Sequence, residues 1–230
     1  MFDLLAAAGI NALYTSDFYQ KVLEFDASIL LYVQEFIRND ILTPLMKFIT
    51  LLGDGGVFWI VLTVVLLCIS KTRKMGLCSA IALLLSVIIC NVILKNAFAR
   101  IRPYEVIEEI ELLVKRANDW SFPSGHTSAS VAAAVALFLA STKKQKFFTV
   151  WGIVLAAAIG FSRIYVGIHY PTDVFVSAFM AIILAVVATL IGEKLYDFLA
   201  LKFTEMKKKK AEAKAVTEPE TEEPVKKKEF

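Results

Sequence analysis

Long apolar runs, separated by short polar clusters, dominate this chain. A membrane-spanning helix needs roughly 20 mostly apolar residues, within a range of about 17–25. Residues 75–94 and 174–192 meet that need without one charged side chain. Residues 55–70, 125–141 and 147–161 form shorter apolar runs that can cross if their flanks contribute. Five such runs predict an all-α integral membrane helical bundle. Ahead of them, Asp26, Glu35, Arg38, Asp40 and Lys47 interrupt the apolar residues at intervals. At helical spacing Ile29, Val33, Phe36 and Ile37 share one side, which predicts an N-terminal amphipathic helix lying in the interface. A sixth span through residues 41–52 is the alternative reading. Asp54-Gly55-Gly56 then breaks the helix before the next run.

From about residue 205 the pattern changes to low-complexity Lys, Glu, Ala and Pro. Such a segment buries too little apolar area to offset its ordering entropy, which predicts a disordered tail. The expected organisation is therefore an N-terminal amphipathic segment over 1–52, a transmembrane catalytic domain over 53–204 and a charged tail over 205–230. Asp3, with no early Lys or Arg, argues against a cleaved signal peptide. The first apolar spans would address the chain to the membrane themselves.

Composition supports lipid as the solvent. Hydrophobic residues make up 57% of the 230 and charged residues 20%, with a mean hydropathy of +0.63. A soluble domain of this size keeps too much surface to hide that excess. The net charge of +3 gives no case for nucleic-acid binding, but its distribution predicts orientation. Lys71, Arg73 and Lys74, then Lys143, Lys144 and Lys146, then Lys207 to Lys210 all fall on one side of the five spans. Short basic loops mark the cytoplasmic side. The loop over 100–122 and the turn around His169 would then face outward, with the tail inside. Cys68, Cys78 and Cys90 lie in apolar runs without metal-ligand spacing and read as packed small hydrophobes.

Polar groups gather at three places on the expected outer face. Lys95 and Arg102-Pro103 end the run over 75–94, Pro123-Ser124-Gly125-His126 opens the next, and Ser162-Arg163 precedes His169 and Asp173. His126 and His169 are the only histidines in the chain. Taken singly, either histidine reads as an interfacial side chain, and Lys95 or Arg102 as a cation snorkelling to the headgroups. Arg163 interrupts an otherwise apolar stretch, where an ionisable residue is costly and signals function. Together they suit a phosphate monoester. Lys95, Arg102 and Arg163 would supply charge. Ser124 and Gly125 would supply the free N–H groups of a helix start. Asp173, four residues after His169 with Pro171 suited to a first helical turn, would fix the imidazole tautomer. A neutral His169 can attack phosphorus, and a protonated His126 can give a proton to the departing oxygen. Opposite protonation states predict a bell-shaped pH profile.

These residues resemble the three motifs of the type-2 phosphatidic-acid phosphatase family. Lys95, six residues and Arg102-Pro103 are similar to the first motif, and Pro123-Ser124-Gly125-His126 to the second. Ser162-Arg163, five residues, His169, three more and Asp173 resemble the third. The resemblance implies a phosphohistidine intermediate on His169, with His126 as general acid and Asp173 completing the catalytic set. It further implies phosphate binding by Lys95, Arg102, Ser124, Gly125 and Arg163, and no metal or other cofactor. Glu105, Glu108, Glu109, Glu111 and Asp119 on the outer loop read as a solvated face. Phosphatidate, phosphatidylglycerophosphate and undecaprenyl diphosphate all fit as substrates. Three other readings compete: a non-catalytic lipid-phosphate binding protein, a lipid phosphotransferase, and a vanadium haloperoxidase, whose relatives share the motifs but are soluble.

Overall fold

The computed structural model describes residues 14–217. Residues 1–13 of the expected N-terminal segment and 218–230 of the expected tail lie outside the described residues. Within that range every regular element is a helix.

The first helix, α1 (Asp17–Tyr32), starts where the Ser16 hydroxyl accepts from the Tyr19 N–H at 3.3 Å. Asp17 in the first turn adds a favourable charge at the positive end of the helix dipole. A π-helical turn, Val33–Ile37, ends it. Of the expected apolar side, Val33 is buried and Ile29 and Ile37 pack partly buried beside it, with Asp26 and Leu30 on the same inward side, while Phe36 is exposed.

Asn39 caps α2 (Leu42–Leu52) by accepting from the N–H groups of Ile41 and Leu42 at 3.0 and 2.9 Å. Gly55 and Gly56 then adopt φ of +58° and +66°, which only glycine tolerates readily. The resulting break turns the chain by 44° into α3 (Val57–Cys68). The stretch over 41–52 is thus one arm of a bent pair rather than a lone extra span. The bent pair passes as one span, and Arg73–Val106, Lys146–Tyr165 and the segment Pro171–Lys210 are each long and apolar enough to cross alone. The helix α7 (Gly125–Leu139) is apolar but only 15 residues long.

The run over 75–94 begins as α4 (Arg73–Ser86) and continues as a π-helical segment, Val87–Leu94, into the short α5 (Lys95–Phe98). Ala99 has φ +46° and reverses the chain there, a costly conformation for a side chain with Cβ. A single turn, α6 (Pro103–Val106), follows before the outer loop. The helix α8 (Lys146–Tyr165) extends past residue 161, where the sequence pattern stops, because Arg163 is buried within the protein.

Small residues let the helices approach, as association within lipid requires. Cys78 and Ala82 of α4 meet Ala132 and Ala136 of α7, with Ala181, Ala185 and Ala188 of α9 (Pro171–Thr217). A Cβ on Gly192 would lie 2.7 Å from the Cys78 sulfur. Trp59 is wholly buried and donates to the Ser130 hydroxyl at 2.8 Å, and Thr63 bonds Ser79 at 2.7 Å. Such interhelical bonds contribute about 0.6 kcal/mol each. Cys78 and Cys90 are packed as expected, whereas Cys68 is exposed at the end of α3. Only 28–33% of each span is buried inside the protein, so the remaining apolar faces need a lipid solvent.

A second compact unit begins at Lys194 and is described as far as residue 217. Its helix runs to Thr217, where a disordered tail is expected from 205. Lys, Glu and Ala are good helix formers, and extending an existing helix avoids the cost of nucleating a new one. Lys202–Glu205 and Lys208–Glu212 pairs at 3.7 and 4.0 Å line its exposed face.

Candidate active site

A cavity of about 280 Å³ collects all three polar clusters, lined by Lys95, Arg102, Gly125, His126, Arg163 and His169 among others. The turn at Ala99 is what lets Lys95 and Arg102 face one space. The turn carrying His169 is pinned from outside. Arg38 donates to the carbonyls of Tyr165 and Glu111, both at 2.9 Å, and Gly167 at φ +78° lets the chain pass beside that guanidinium.

Arg102 is buried and donates to the Ile168 carbonyl at 2.8 Å, while its Nη1 lies 3.4 Å from His169 Nε2. A guanidinium can only donate. The neutral His169 ring therefore keeps its lone pair on Nε2, toward the Arg102 guanidinium, and its proton on Nδ1. The Asp173 Oδ2 atom lies 3.5 Å from Nδ1, but Nδ1 makes no hydrogen bond. Asp173 is instead held by Arg100 at 2.6 Å, the Ser121 hydroxyl at 2.5 Å and the Tyr170 N–H at 3.1 Å. The expected His–Asp contact is thus an approach without a bond; such contacts often tighten only when substrate binds. Burial, followed by the positive charges of Arg102, Arg163, Lys95 and His126, holds the His169 pKa well below 6.5.

Ser124 caps α7: its oxygen accepts from Thr127 N–H at 3.5 Å, and its own N–H donates to Ser177 at 2.8 Å. Gly125 faces the cavity beside Asn91 of the π-helical segment, where a Cβ would sit 2.9 Å from the amide oxygen. His126 Nε2 pairs with Asp54 at 2.7 Å. Arg163 donates from Nη1 to Thr50 at 2.5 Å and leaves its buried Nε without a partner.

Asp119 stays exposed, with 53% of its side chain accessible, but it also lines the cavity, where it pairs with Lys95 and, at 2.5 Å, with Arg102. Burial alone would raise its pKa, but bonds and charges from Lys95 and Arg102 outweigh that and lower it to about 2. Two cations held ready for an anion attract the nearest carboxylate. Sequence reasoning also missed Asp54, Thr50, Asp26 and Arg100. Asp54 stands beside the Gly55-Gly56 break at the start of a span, and Arg100 two residues before Arg102, so both had a local signal. Asp26 had none.

Fold and site together define a helical membrane protein with a histidine facing a cationic, anion-sized cavity. The sequence model of the PAP2 superfamily matches residues 75–197, more than half of the chain. The undecaprenyl-diphosphatase of Sulfolobus acidocaldarius is 35% identical over 133 residues, covering 58% of this chain and 62% of that protein. The undecaprenyl-diphosphatase BcrC of Bacillus subtilis is 31% identical over 164 residues, covering 71% of this chain and 82% of that protein. The fold is also similar to the crystal structure of a transmembrane PAP2-type phosphatidylglycerolphosphate phosphatase from Bacillus subtilis. That likeness has a TM-score of 0.62 at 24% identity, over 83% of this chain and 94% of that one. The chain belongs to the PAP2 superfamily and is a multi-pass membrane protein. It spans 62% of the length of the Sulfolobus relative.

Proposed function

We propose that this chain is a membrane lipid phosphatase that removes the terminal phosphate of a prenyl diphosphate such as undecaprenyl diphosphate. The observation that carries the reading is that His169 lines one cavity with Lys95, Arg102 and Arg163, its Nε2 lying 3.4 Å from Arg102 Nη1. Nε2 attacks the terminal phosphorus as the bond to the bridging oxygen breaks. His126 gives its proton to the departing lipid phosphate. Water then attacks the phosphohistidine, the P–N bond breaks, and His126 takes the water proton. Negative charge spread over the equatorial oxygens is met by the two guanidiniums, the Lys95 ammonium and the N–H groups at the start of α7. Asp119 leaves Lys95 and Arg102 as phosphate enters.

A second cavity of about 590 Å³ supports a diphosphate over a monophosphate. It shares His126 and Arg163 with the first and adds Lys47, Lys115 and Arg116, enough space and charge for a second phosphate group. The names of the two relatives point the same way. The reading further assigns the site to the outer side of the membrane. The basic loops at 71–74 and 143–146 lie at the helix ends away from Lys95 and His126, and such loops mark the cytoplasmic side.

The test is phosphate release by purified protein in detergent from undecaprenyl diphosphate, phosphatidate and phosphatidylglycerophosphate. The expected result is kcat/KM about two- to fivefold higher for the diphosphate, because Lys47, Lys115 and Arg116 are exposed and such ion pairs contribute about 0.2–1 kcal/mol. Binding of all three without release from any would sink the reading and favour a binding protein.

The pH profile has a definite sign. His169 must be neutral to attack, and its pKa is held below 6.5. The required form is therefore present at neutral pH and disappears as pH falls through that lowered value. The acid limb of kcat/KM is expected below pH 6.5, measured over about pH 4–8. An acid limb at or above 6.5 would contradict the placement of His169 among four positive groups.

A further inference from the structure

The residue whose burial is hardest to explain is Asp26, on a helix outside the part of the chain that matches the superfamily. Its side chain has no exposed surface. One oxygen accepts from the Thr172 N–H at 2.9 Å, and the other from the Thr172 hydroxyl at 2.5 Å and from Arg100 Nη2 at 2.7 Å. Arg100 Nη1 donates to Asp173 Oδ1 at 2.6 Å and to Thr172 Oγ1 at 2.8 Å. The guanidinium carbon lies 3.8 Å from the centre of the Tyr170 ring. One buried cation is thus shared by two buried carboxylates, and one of those approaches His169.

A buried charge without a partner is strongly destabilising, so Arg100 must be matched by a carboxylate. Asp173 alone would do that. A second carboxylate brought in from α1 leaves the group with one net negative charge, beside the Nδ1 side of His169. Lys95, Arg102, Arg163 and His126 surround the same ring with positive charge. We propose that Asp26 and Arg100 are positioning residues for catalysis: Asp26 draws Arg100 partly away from Asp173, and so leaves Asp173 negative enough to support the His169 nucleophile. The N-terminal helix is by this account a working part of the active site rather than an interfacial accessory.

This inference rests on the assignment of His169 as nucleophile, and the experiment separates the two. Wild type, Asp26→Asn and Arg100→Gln are purified in detergent, checked for folding by gel filtration, and assayed with undecaprenyl diphosphate across pH. Inorganic phosphate serves as the competitive inhibitor that reports the cavity. No phosphate release by wild type sinks the functional reading itself.

Asparagine keeps the size of Asp26 but not its charge, so Arg100 pulls fully on Asp173. The expected result is a fall in kcat of at least about tenfold, an inhibition constant for phosphate within about twofold of wild type, and an acid limb moved to lower pH. Arg100→Gln removes the cation and should move the acid limb the other way, to higher pH. Opposite shifts are what a merely structural role would not produce. If Asp26→Asn does not fold, Arg100→Gln decides alone. If neither folds, Thr172→Val decides, since it removes one hydroxyl bond from Asp26 and one from Arg100; the expected result is a lower kcat with phosphate inhibition kept. An unchanged kcat and acid limb in the folded variants, or an equal loss of phosphate inhibition, overturns the proposal.

Discussion

Replacing His169 with alanine is expected to reduce kcat by about 10⁴–10⁶-fold while competitive inhibition by inorganic phosphate survives. The imidazole supplies the attacking atom: His169 lines the cavity, where the Lys95 ammonium is paired with Asp119 and the other imidazole, His126, is held by Asp54 through Nε2. Phosphate binding depends on other groups. Lys95, Arg102 and Arg163 come from three different helices or turns and keep their positions without the ring. The measurement is single-turnover phosphate release, paired with quenching in alkali, where a phosphohistidine persists. Wild type should show labelled protein and His169→Ala should show none. Turnover within tenfold of wild type in the alanine variant would remove the nucleophile from His169.

The next largest effect belongs to Arg102. Its guanidinium donates to the Asp119 backbone carbonyl at 2.8 Å, the Asp119 carboxylate at 2.5 Å and the Ile168 carbonyl at 2.8 Å, while standing 3.4 Å from the nucleophile. A lysine keeps the charge but lacks the planar fork, so it cannot hold the outer loop, the His169 turn and a phosphate together. Arg102→Lys is expected to lower kcat by about 10²–10³-fold, the range for losing one well-placed donor to a developing oxyanion, or about 2.7–4 kcal/mol. KM should change less, because Lys95 and Arg163 still attract the ground-state phosphate. A rise in KM at constant kcat would show instead that Arg102 binds substrate and transition state equally.

Both predictions use residues that the linear chain itself singles out. Apolar runs of membrane-spanning length, the Gly55-Gly56 break and the clustered Lys95, Arg102, His126, Arg163, His169 and Asp173 are local features. Spacing and composition suffice to read them, since helix formation, turn geometry and the cost of a charge in lipid all act over a few residues.

Tertiary structure decided which charges meet. Asp119 reaches Lys95 across 24 residues, Asp54 reaches His126 across 72, and Asp26 reaches Arg100 across 74. In the sequence each of these carboxylates looks like a surface charge, because no local pattern names its partner. Folding brings cations together, and the carboxylates within reach pair with them. Asp26 does so fully buried, where an unmatched charge is far costlier than at the surface, while Asp54 and Asp119 keep about half of their side chains exposed. Apolar periodicity places Asp26 on the same inward side of the N-terminal segment as Leu30 and Val33, but only the folded chain supplies the Arg100 guanidinium that lets a carboxylate stay there.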